Sequence, residues 1–554
     1  MSKTIVKKYI NNAIKPLTKE NINFDIKIPI KDFGDYATNV GLILCKKLKK
    51  NPTELNSLII KNLIKSKDFN KYFSSVKELN GFINFTLSPA YFQNEIKNVL
   101  KEKDNYFSTK TKKKLKAQIE FVSANPTGPL TLANARGAFY GNALVNILSS
   151  SGFDVKKEYY VNNIGKQIYN LGIAIIKCWN LNPNDYGYEY DDANVYKGGY
   201  ISTLAGIVKS KIKGDLKKYL KTHNPEIIGS LGAKENLAQI KFVLTKANIT
   251  FDKWFLESDL KKLGFVTKAF NWLTKAGFTY KKDGAVWLKT TKMFKDDKDR
   301  VLERSSGTLE TYFLSDIAYH LEKFSNRKFD LVIDVFGADH FTHAQKIKWL
   351  VEKMKETKLI KSSSKFDVVL MQFMTLLNEG EIVKMSKRKG NFVLFEDFIN
   401  AVGPDAASFF ILDRSTDTHL EFDYDLAVEK SEKNPVYYTQ YAYARICSIL
   451  NKMGKINSSK INLSLLTDTH EISLAKEILK LPDLIQDISK NYEVHLLTKY
   501  VVSLAQTFHS FYASCPIIKT NKETQKARLA LLNSAKITLE FCFKIMNIQA
   551  KKKM

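Results

Sequence analysis

Apolar and polar positions alternate along this chain with two different periods, and the texture changes at several points. Residues 1 to about 100 mix helical spacing with short apolar runs such as Gly81-Phe82-Ile83-Asn84-Phe85, which predicts a small α+β unit. From Lys116 the pattern is different. Ala117 to Val122 is strand-like, the loop Pro126-Thr127-Gly128-Pro129 follows, and Leu132, Ala135, Arg136, Phe139 and Leu144 fall at helical spacing as far as Gly152. A second strand, Val155 to Val161, comes next. Strand, tight loop, helix and strand in succession predict a βαβ unit and hence a parallel sheet with right-handed crossovers.

Leu331 to Phe336 and Asp367 to Met371 repeat the alternation further on. The stretch between, about 180 to 300, reads as helices and a hairpin turning at Asp283-Gly284 ahead of Ala285-Val286-Trp287-Leu288, an insertion between the halves of a doubly wound sheet. Beyond about residue 430 the periodicity is helical, as in Asn434 to Met453, His470 to Glu493 and Glu523 to Met546. The fold class expected is α/β: a doubly wound, Rossmann-type parallel sheet with an insertion, a small α+β N-terminal domain and an all-α C-terminal bundle.

Length agrees with several domains, since 554 residues at roughly 150 per domain give about three or four. Hydrophobic residues at 44% and charged residues at 26% are globular proportions. No apolar run approaches the roughly 18 residues of a membrane helix, and Met1 to Pro16 lack the apolar segment of a secretory signal, so a cytoplasmic protein is expected. The five cysteines, Cys45, Cys178, Cys447, Cys515 and Cys542, include no C-x-x-C pair and are expected to be buried small hydrophobes. The net charge of +29 suits a polyanionic partner, although abundant Lys, Asn and Ile also suit an A+T-rich genome. Lys101 to Lys116, with seven lysines against Glu102 and Asp104, reads as a basic linker.

Two segments are candidates for holding phosphate. The Pro126 to Pro129 loop leads into a helix near Thr131, whose N-terminus offers N–H groups and a positive dipole end. It matches neither G-x-x-x-x-G-K-[ST] nor G-x-G-x-x-G, so neither a Walker-type ATPase nor a dinucleotide enzyme is supported. The second is Lys384-Met385-Ser386-Lys387-Arg388-Lys389-Gly390-Asn391, where four cations in six residues suit a mobile polyphosphate loop. Composition alone does not separate that from a solvated surface turn.

Order and spacing decide between them. Ala124-Asn125-Pro126-Thr127-Gly128-Pro129 after the first strand and Lys384-Met385-Ser386-Lys387-Arg388 after the last resemble the two ATP-site signatures of class I aminoacyl-tRNA synthetases. Within that class the chain is most similar to arginyl-tRNA synthetase over essentially its whole length. Gly34 to Asn39 and Gly81 to Phe85 resemble that family's additional tRNA-binding domain. Tyr159 to Asn162, Phe251 to Phe255, Asp296 to Val301, Tyr312 to His320 and Gly337-Ala338-Asp339-His340 resemble its catalytic domain and insertion. Asn434 to Tyr438 with Gln440-Tyr441-Ala442 resembles the start of its anticodon-binding bundle. The expected division is 1–108 for the N-terminal tRNA-binding domain, 109–395 for the catalytic domain, 396–430 for a stem and 431–554 for the anticodon-binding helices.

The resemblance has a gap. The family's helix after Gly-Pro-Leu opens with His-x-Gly-His, whose imidazoles bind ATP phosphate; the tetrad in this chain is Thr131-Leu132-Ala133-Asn134, and the first histidine anywhere is His223. Losing one preorganised donor at a developing charge typically costs about 2.7–4 kcal/mol. A hydroxyl and an amide N–H₂ can each donate to phosphate, so Thr131 and Asn134 are expected to stand in for the histidines.

The resemblance also implies the pocket and the reaction. Free arginine presents five planar donors, best matched by carboxylates with a hydroxyl or aromatic. Glu120, Tyr312 and Asp316 align with the family's positions for this task, and the i,i+4 spacing of the last two puts them on one helical face. Asn125 aligns with the position that binds the substrate's α-ammonium group. Pro126, Thr127, Gly128, Pro129, Ala133, Gly337, Asp339, His340 and Met385 align with ATP-binding positions, and Thr131, Asn134, Lys384, Ser386 and Lys387 with catalytic ones. His340 and His343 alone lack a third metal ligand in sequence reach, so no protein-held metal and no structural zinc are expected. Implied are an arginine–tRNA ligase with ATP, Mg²⁺, L-arginine and tRNA(Arg) as substrates and partners, a monomer, and arginine activation that needs bound tRNA. The rival is a catalytically impaired paralogue that acts as a tRNA-binding or regulatory protein. Among the C-terminal aromatics, Tyr437, Tyr438, Tyr441, Phe508, Phe511 and Tyr512 are expected to be mostly core, with a few stacking on anticodon bases; Tyr443 stands where the family often has histidine.

Overall fold

The computed structural model describes residues 2–29, 33–109, 111, 113–307, 309, 312–382, 393–454 and 461–554. At its centre is a five-stranded sheet of β1 (Lys116–Glu120), β2 (Asp154–Val161), β3 (Lys253–Leu256), β4 (Leu331–Gly337) and β5 (Lys365–Met371). The spatial order is β5-β4-β1-β2-β3 and every neighbouring pair is parallel. A parallel strand covered on both faces is a near-continuous apolar run, and Leu331, Val332, Ile333 and Val335 of β4 are all buried, with Asp334 the charged exception. Helix α1 (Leu132–Ser150) crosses from β1 to β2 and is itself largely buried. It lies so close to the sheet that a Cβ on Gly141 would fall 2.3 Å from the Phe121 ring. The chain runs outward from β1 to β2 and β3, then returns on the other side of β1 as β4. Strand order therefore reverses between β1 and β4, and a crevice opens beyond their carboxyl ends.

The stretch from about 180 to 300 is less uniform than its pattern suggests. Helices Gly199–Lys211 and Pro225–Lys246 are followed by β3, which joins the central sheet with Lys253 opposite Glu158. A four-residue edge strand is too short for a period to reveal it. The hairpin Thr279–Lys282 and Ala285–Leu288 turns as expected through Asp283 and Gly284, both left-handed at φ +51° and +73°.

The N-terminal unit packs helices Ser2–Ile14, Val40–Leu48, Pro52–Ile64 and Pro89–Glu102 on a four-stranded antiparallel sheet. Asn51 and Ser88 cap the last two helices with a proline at the first turn, which fixes where they begin. The lysine-rich stretch after this unit is not a bare linker. Lys103–Tyr106 form a 3₁₀ turn, Tyr106 is buried with its hydroxyl donating to Glu95 Oε2 at 2.6 Å, and Phe107 packs on Phe541 with ring centroids 5.1 Å apart. Two aromatics among the lysines anchor the first part of the segment, which a charge count conceals.

The C-terminal unit consists of helices Pro435–Met453, Thr469–Asn491, His495–Ser514 and Lys522–Met546. It meets the N-terminal unit directly: Tyr36 Oη donates to Asp483 Oδ2 at 3.0 Å and Lys476 pairs with Asp35 at 2.9 Å. Of the cysteines, Cys447, Cys515 and Cys542 are buried, whereas Cys45 is half-buried and Cys178 exposed. Among the described residues, no helix is long and apolar enough to cross a membrane.

Candidate active site

The loop leaving β1 is held in a strained conformation at the head of the crevice. Val122 and Ser123 both have positive φ, +69° and +40°, which a β-branched residue adopts only where its surroundings compel it. Ser123 Oγ donates to Glu120 Oε1 at 3.0 Å and accepts from the Tyr160 N–H at 3.0 Å, and Tyr159 Oη donates to the Ala124 carbonyl at 2.8 Å. Asn125 follows, exposed. Helices of the inserted stretch brace the next residues: Asn236 Nδ2 donates to the Pro126 carbonyl and Tyr200 Oη to the Thr127 carbonyl, each at 3.1 Å. Gly128 lies under Tyr200, where a Cβ would come within 3.3 Å of the ring. Pro126 to Pro129 thus form a supported loop.

The start of α1 is capped from within its own tetrad. Thr131 is the N-cap, its N–H donates to Asn134 Oδ1 at 3.0 Å, and the Asn134 N–H donates to the Thr131 carbonyl at 2.9 Å. The Leu132 N–H is taken by the Val393 carbonyl at 2.9 Å, and the Phe395 N–H donates to the Leu130 carbonyl. One of the helix-end donors expected to face phosphate is therefore used by the protein itself, while Ala133 is exposed at the mouth. Lys384, Met385, Ser386 and Lys387 lie outside the described residues. The chain that follows them returns at Val393 directly onto the tetrad.

Across the crevice, α2 (Tyr312–Leu321) carries Asp316, and α3 (Phe341–Glu356) follows β4. The Tyr312 side chain lies outside the described part of the structure. Asp316 Oδ2 is 3.2 Å from His343 Nε2, so His343 meets a carboxylate on α2. At the end of β4, Gly337 leaves room for the Asp339 carboxylate, since a Cβ would lie 2.4 Å from Asp339 Oδ1. Asp339 and His340 are exposed beside it. Among the described residues, the atoms close enough together to hold a metal are those of Asp468, His470 and Cys515, in the C-terminal unit.

Beneath the crevice Glu120 joins a set of buried charges whose other members, Lys323, Asp334 and His320, the sequence did not single out. Lys323 Nζ donates to Glu120 Oε2 at 2.7 Å and to Asp334 Oδ1 at 3.0 Å; His320 Nε2 is 2.9 Å from Asp334 Oδ2. Burial raises the Glu120 pKa, with Lys323 as the largest opposing influence. Burial also works against ionised Asp334, but Lys323 and His320 outweigh it and hold that carboxyl below its usual range. Glu257, at the end of β3, is buried and its pKa is raised by burial and by Asp316. The Tyr160 hydroxyl pKa is raised by burial and then by the charges of Glu257, Asp316 and Glu120. Asp316, His320 and Lys323 stand at i, i+4 and i+7, so helical spacing from Asp316 is the signal that could have drawn attention to Lys323.

A second concave feature lies in the C-terminal helices. A cavity of about 840 Å³ is lined by Tyr441, Arg445, Lys452, Tyr512, Lys519 and Lys552 among others. The Arg445 guanidinium lies over the Tyr512 ring at 4.7 Å and Tyr441 is 38% exposed, whereas Phe508 and Phe511 are core. Tyr443 is also core, its hydroxyl donating to Glu540.

Comparison with known proteins agrees with this arrangement. Residues 4–87 match the arginyl tRNA synthetase N terminal domain, residues 95–431 the class I (R) tRNA synthetase catalytic domain, and residues 439–554 the DALR anticodon binding domain. The arginine–tRNA ligase of Moorella thermoacetica is 37% identical over 540 residues, covering 95% of this chain and 92% of its own. That of Aquifex aeolicus is 36% identical over 594 residues and covers all of both chains. The solved structure of Thermus thermophilus arginyl-tRNA synthetase superposes with a TM-score of 0.76 at 18% identity over all of both chains. The Plasmodium falciparum arginyl-tRNA synthetase gives 0.75 at 20% identity, over all of this chain and 99% of its own, and both show the same fold. From its N-terminal α+β unit through its parallel sheet to its C-terminal helices, the chain belongs to the arginyl-tRNA synthetase family of class I aminoacyl-tRNA synthetases.

Proposed function

We propose that this protein is an arginine–tRNA ligase whose first ATP signature works without histidine. The arginine carboxylate attacks the α-phosphorus of ATP, the bond to the β-phosphate oxygen breaks, and arginyl-adenylate and pyrophosphate result. A hydroxyl of the terminal adenosine of tRNA(Arg) then attacks the activated carbonyl and AMP leaves. Neither step needs a covalent bond to the protein, so positioning and charge neutralisation supply the catalysis.

The observation that carries the amino-acid assignment is the pair of carboxylates at the strand-order reversal. Glu120 ends β1 and Asp316 stands on α2, with the Tyr160 hydroxyl under the influence of both. Two acidic groups beside one strand-order reversal suit a guanidinium, with the Tyr312 phenol as third partner and the exposed Asn125 for the α-ammonium end. Adenosine and phosphate would lie along Pro126, Thr127, Gly128, Pro129 and Ala133, against Gly337, Asp339, His340 and Met385. Thr131 and Asn134 would donate to phosphate; Asn134 already uses its carboxamide oxygen on the cap, which leaves its N–H₂ as the donor. Lys387 would neutralise the departing pyrophosphate, with Lys384 and Ser386 shaping the loop, and Mg²⁺ enters as the triphosphate's own counter-ion. In the C-terminal helices, the basic, aromatic cavity around Tyr441, Arg445 and Tyr512 suits unstacked anticodon bases.

Aminoacylation with labelled amino acid tests this. The protein should charge tRNA(Arg) with arginine and leave it uncharged with lysine; charging with lysine, or tight tRNA binding with no charging at all, would favour another specificity or a tRNA-binding paralogue.

A further inference from the structure

Lys323 has no exposed surface, and its charge faces two carboxylates from different strands of the central sheet. It stands on a π-helical turn, Glu322–Asn326, that continues α2, and its ammonium lies 4.0 Å over the Tyr319 ring. Single π turns inside helices are frequent at functional sites. Buried ion sets are poor stabilisers, since apolar side chains of the same volume commonly do as well or better. Stability alone therefore does not account for a lysine placed under the crevice.

Three of the elements around Glu120 contribute to the set. From α2 and its continuation come Tyr319, His320 and Lys323; from β4 comes Asp334; from β2 come Glu158 and Tyr160. Glu158 is itself paired with Arg327 and accepts from the Tyr319 hydroxyl. His320 has an acceptor at each ring nitrogen, the Asp316 carbonyl 2.8 Å from Nδ1 and Asp334 2.9 Å from Nε2. A neutral imidazole has one N–H, so both contacts are donations only when the ring is doubly protonated. The chain of contacts thus runs from Glu120 through Lys323, Asp334 and His320 to the helical turn that bears Asp316. Glu120 uses one direction on each oxygen, for Lys323 and for Ser123. Each carboxylate oxygen accepts in two directions, so these two bonds leave Glu120 further accepting capacity.

We infer that Lys323 is a positioning residue for arginine selection: it keeps the Glu120 carboxylate ionised and aimed into the crevice and, through Asp334 and His320, holds it in register with Asp316. The inference rests on the proposed role of Glu120 in binding arginine. Without Lys323, Glu120 would sit buried beside Asp334 and Glu158 with its chief cation gone. Its pKa would rise further, as buried glutamates with pKa near 8–9 demonstrate. Only ionised Glu120 pairs with a guanidinium, so binding would weaken as pH falls and recover as pH rises.

The test measures arginine and ATP KM in aminoacylation by the full chain from about pH 6.5 to about pH 9, for Lys323→Met and, in parallel, Glu120→Gln. The expected result for Lys323→Met is an arginine KM raised by about tenfold or more near pH 6.5, the ionised fraction of a carboxyl titrating about one unit higher, with the defect shrinking toward pH 9 and ATP KM within about twofold throughout. Glu120→Gln should raise arginine KM at every pH, because it has no charge to recover. An arginine KM for Lys323→Met that stays at the wild-type value, or a fall in kcat that is the same at every pH, overturns the inference while leaving Glu120 its role. An unchanged arginine KM in Glu120→Gln removes the role of Glu120 itself, and the inference with it. Should Lys323→Met not fold, Lys323→Met with Asp334→Asn removes one cation and one anion together and carries the same pH test.

Discussion

Asn134→Asp separates two tasks of one side chain. In the wild type, Oδ1 receives the Thr131 N–H at 3.0 Å and closes the cap of α1, while Nδ2 is the donor proposed for phosphate. Aspartate keeps an acceptor where Oδ1 is, and a negative charge in the first turn adds about 0.3–1 kcal/mol of favourable interaction with the helix dipole. The cap survives, and the melting temperature should stay within about 2 °C of wild type or rise slightly. The donor, however, becomes an anion facing the triphosphate. Loss of one preorganised donor is worth about 2.7–4 kcal/mol, or about 10²–10³ in rate, and charge repulsion adds to it. Asn134→Ala loses both tasks: the same fall in rate, plus about 0.5–1.5 kcal/mol of stability from the lost hydrogen bond to the Thr131 N–H. The assay is arginine-dependent ATP–pyrophosphate exchange at saturating tRNA, with thermal denaturation alongside. If Asn134→Asp retains exchange within about threefold of wild type, Asn134 does not donate to phosphate and the substitute-donor account of the tetrad fails.

Other expectations follow from the same geometry. Asp316→Asn removes a charge-assisted contact worth about 1.5–3 kcal/mol, so arginine KM should rise by about 10- to 150-fold with ATP KM little altered; equal changes in both would point to a general disturbance of α2. Tyr441→Ala and Arg445→Ala should each weaken tRNA binding, by about 1–3 kcal/mol where a base stacks, without changing arginine KM in a filter-binding and kinetic comparison. Phe107→Ala should cost about 3–5 kcal/mol because its ring is buried against Phe541; a melting temperature equal to wild type would restore the picture of residues 101–116 as a free linker. Lys387→Ala should abolish pyrophosphate exchange and spare tRNA binding, and unchanged exchange would remove that lysine from the reaction.

The parts of the fold with long periods were legible in the sequence. β1, α1 and β2 each span enough residues for apolar spacing to show, as do the C-terminal helices Pro435–Met453, Thr469–Asn491 and Lys522–Met546. β3 was not legible, because Lys253–Leu256 gives a period no room and its partner β2 lies about a hundred residues earlier. Tyr106 and Phe107 were hidden by the seven lysines around them, since burial depends on where a ring lands and not on the average charge of its neighbours. In the site, the Pro126–Pro129 loop and Glu120 stand where motif order put them. Ser123 and Lys323 carry no motif, and neither the stretch ending at His320 nor the His340–His343 spacing reveals which carboxylates those histidines meet. One lysine among 86 Lys and Arg attracts no notice until the fold buries it between two carboxylates. Nor does sequence reveal that Val393 takes the Leu132 N–H, a contact between residues 261 positions apart.

The central claim is that a synthetase with Thr131 and Asn134 in place of histidines activates arginine. Arginine-dependent ATP–pyrophosphate exchange by the purified full chain, with and without tRNA(Arg) and with lysine as control, tests it most directly. The account predicts exchange with arginine in the presence of tRNA and none with lysine. Absence of exchange with arginine in both conditions, while the protein still binds tRNA(Arg) tightly, would contradict it.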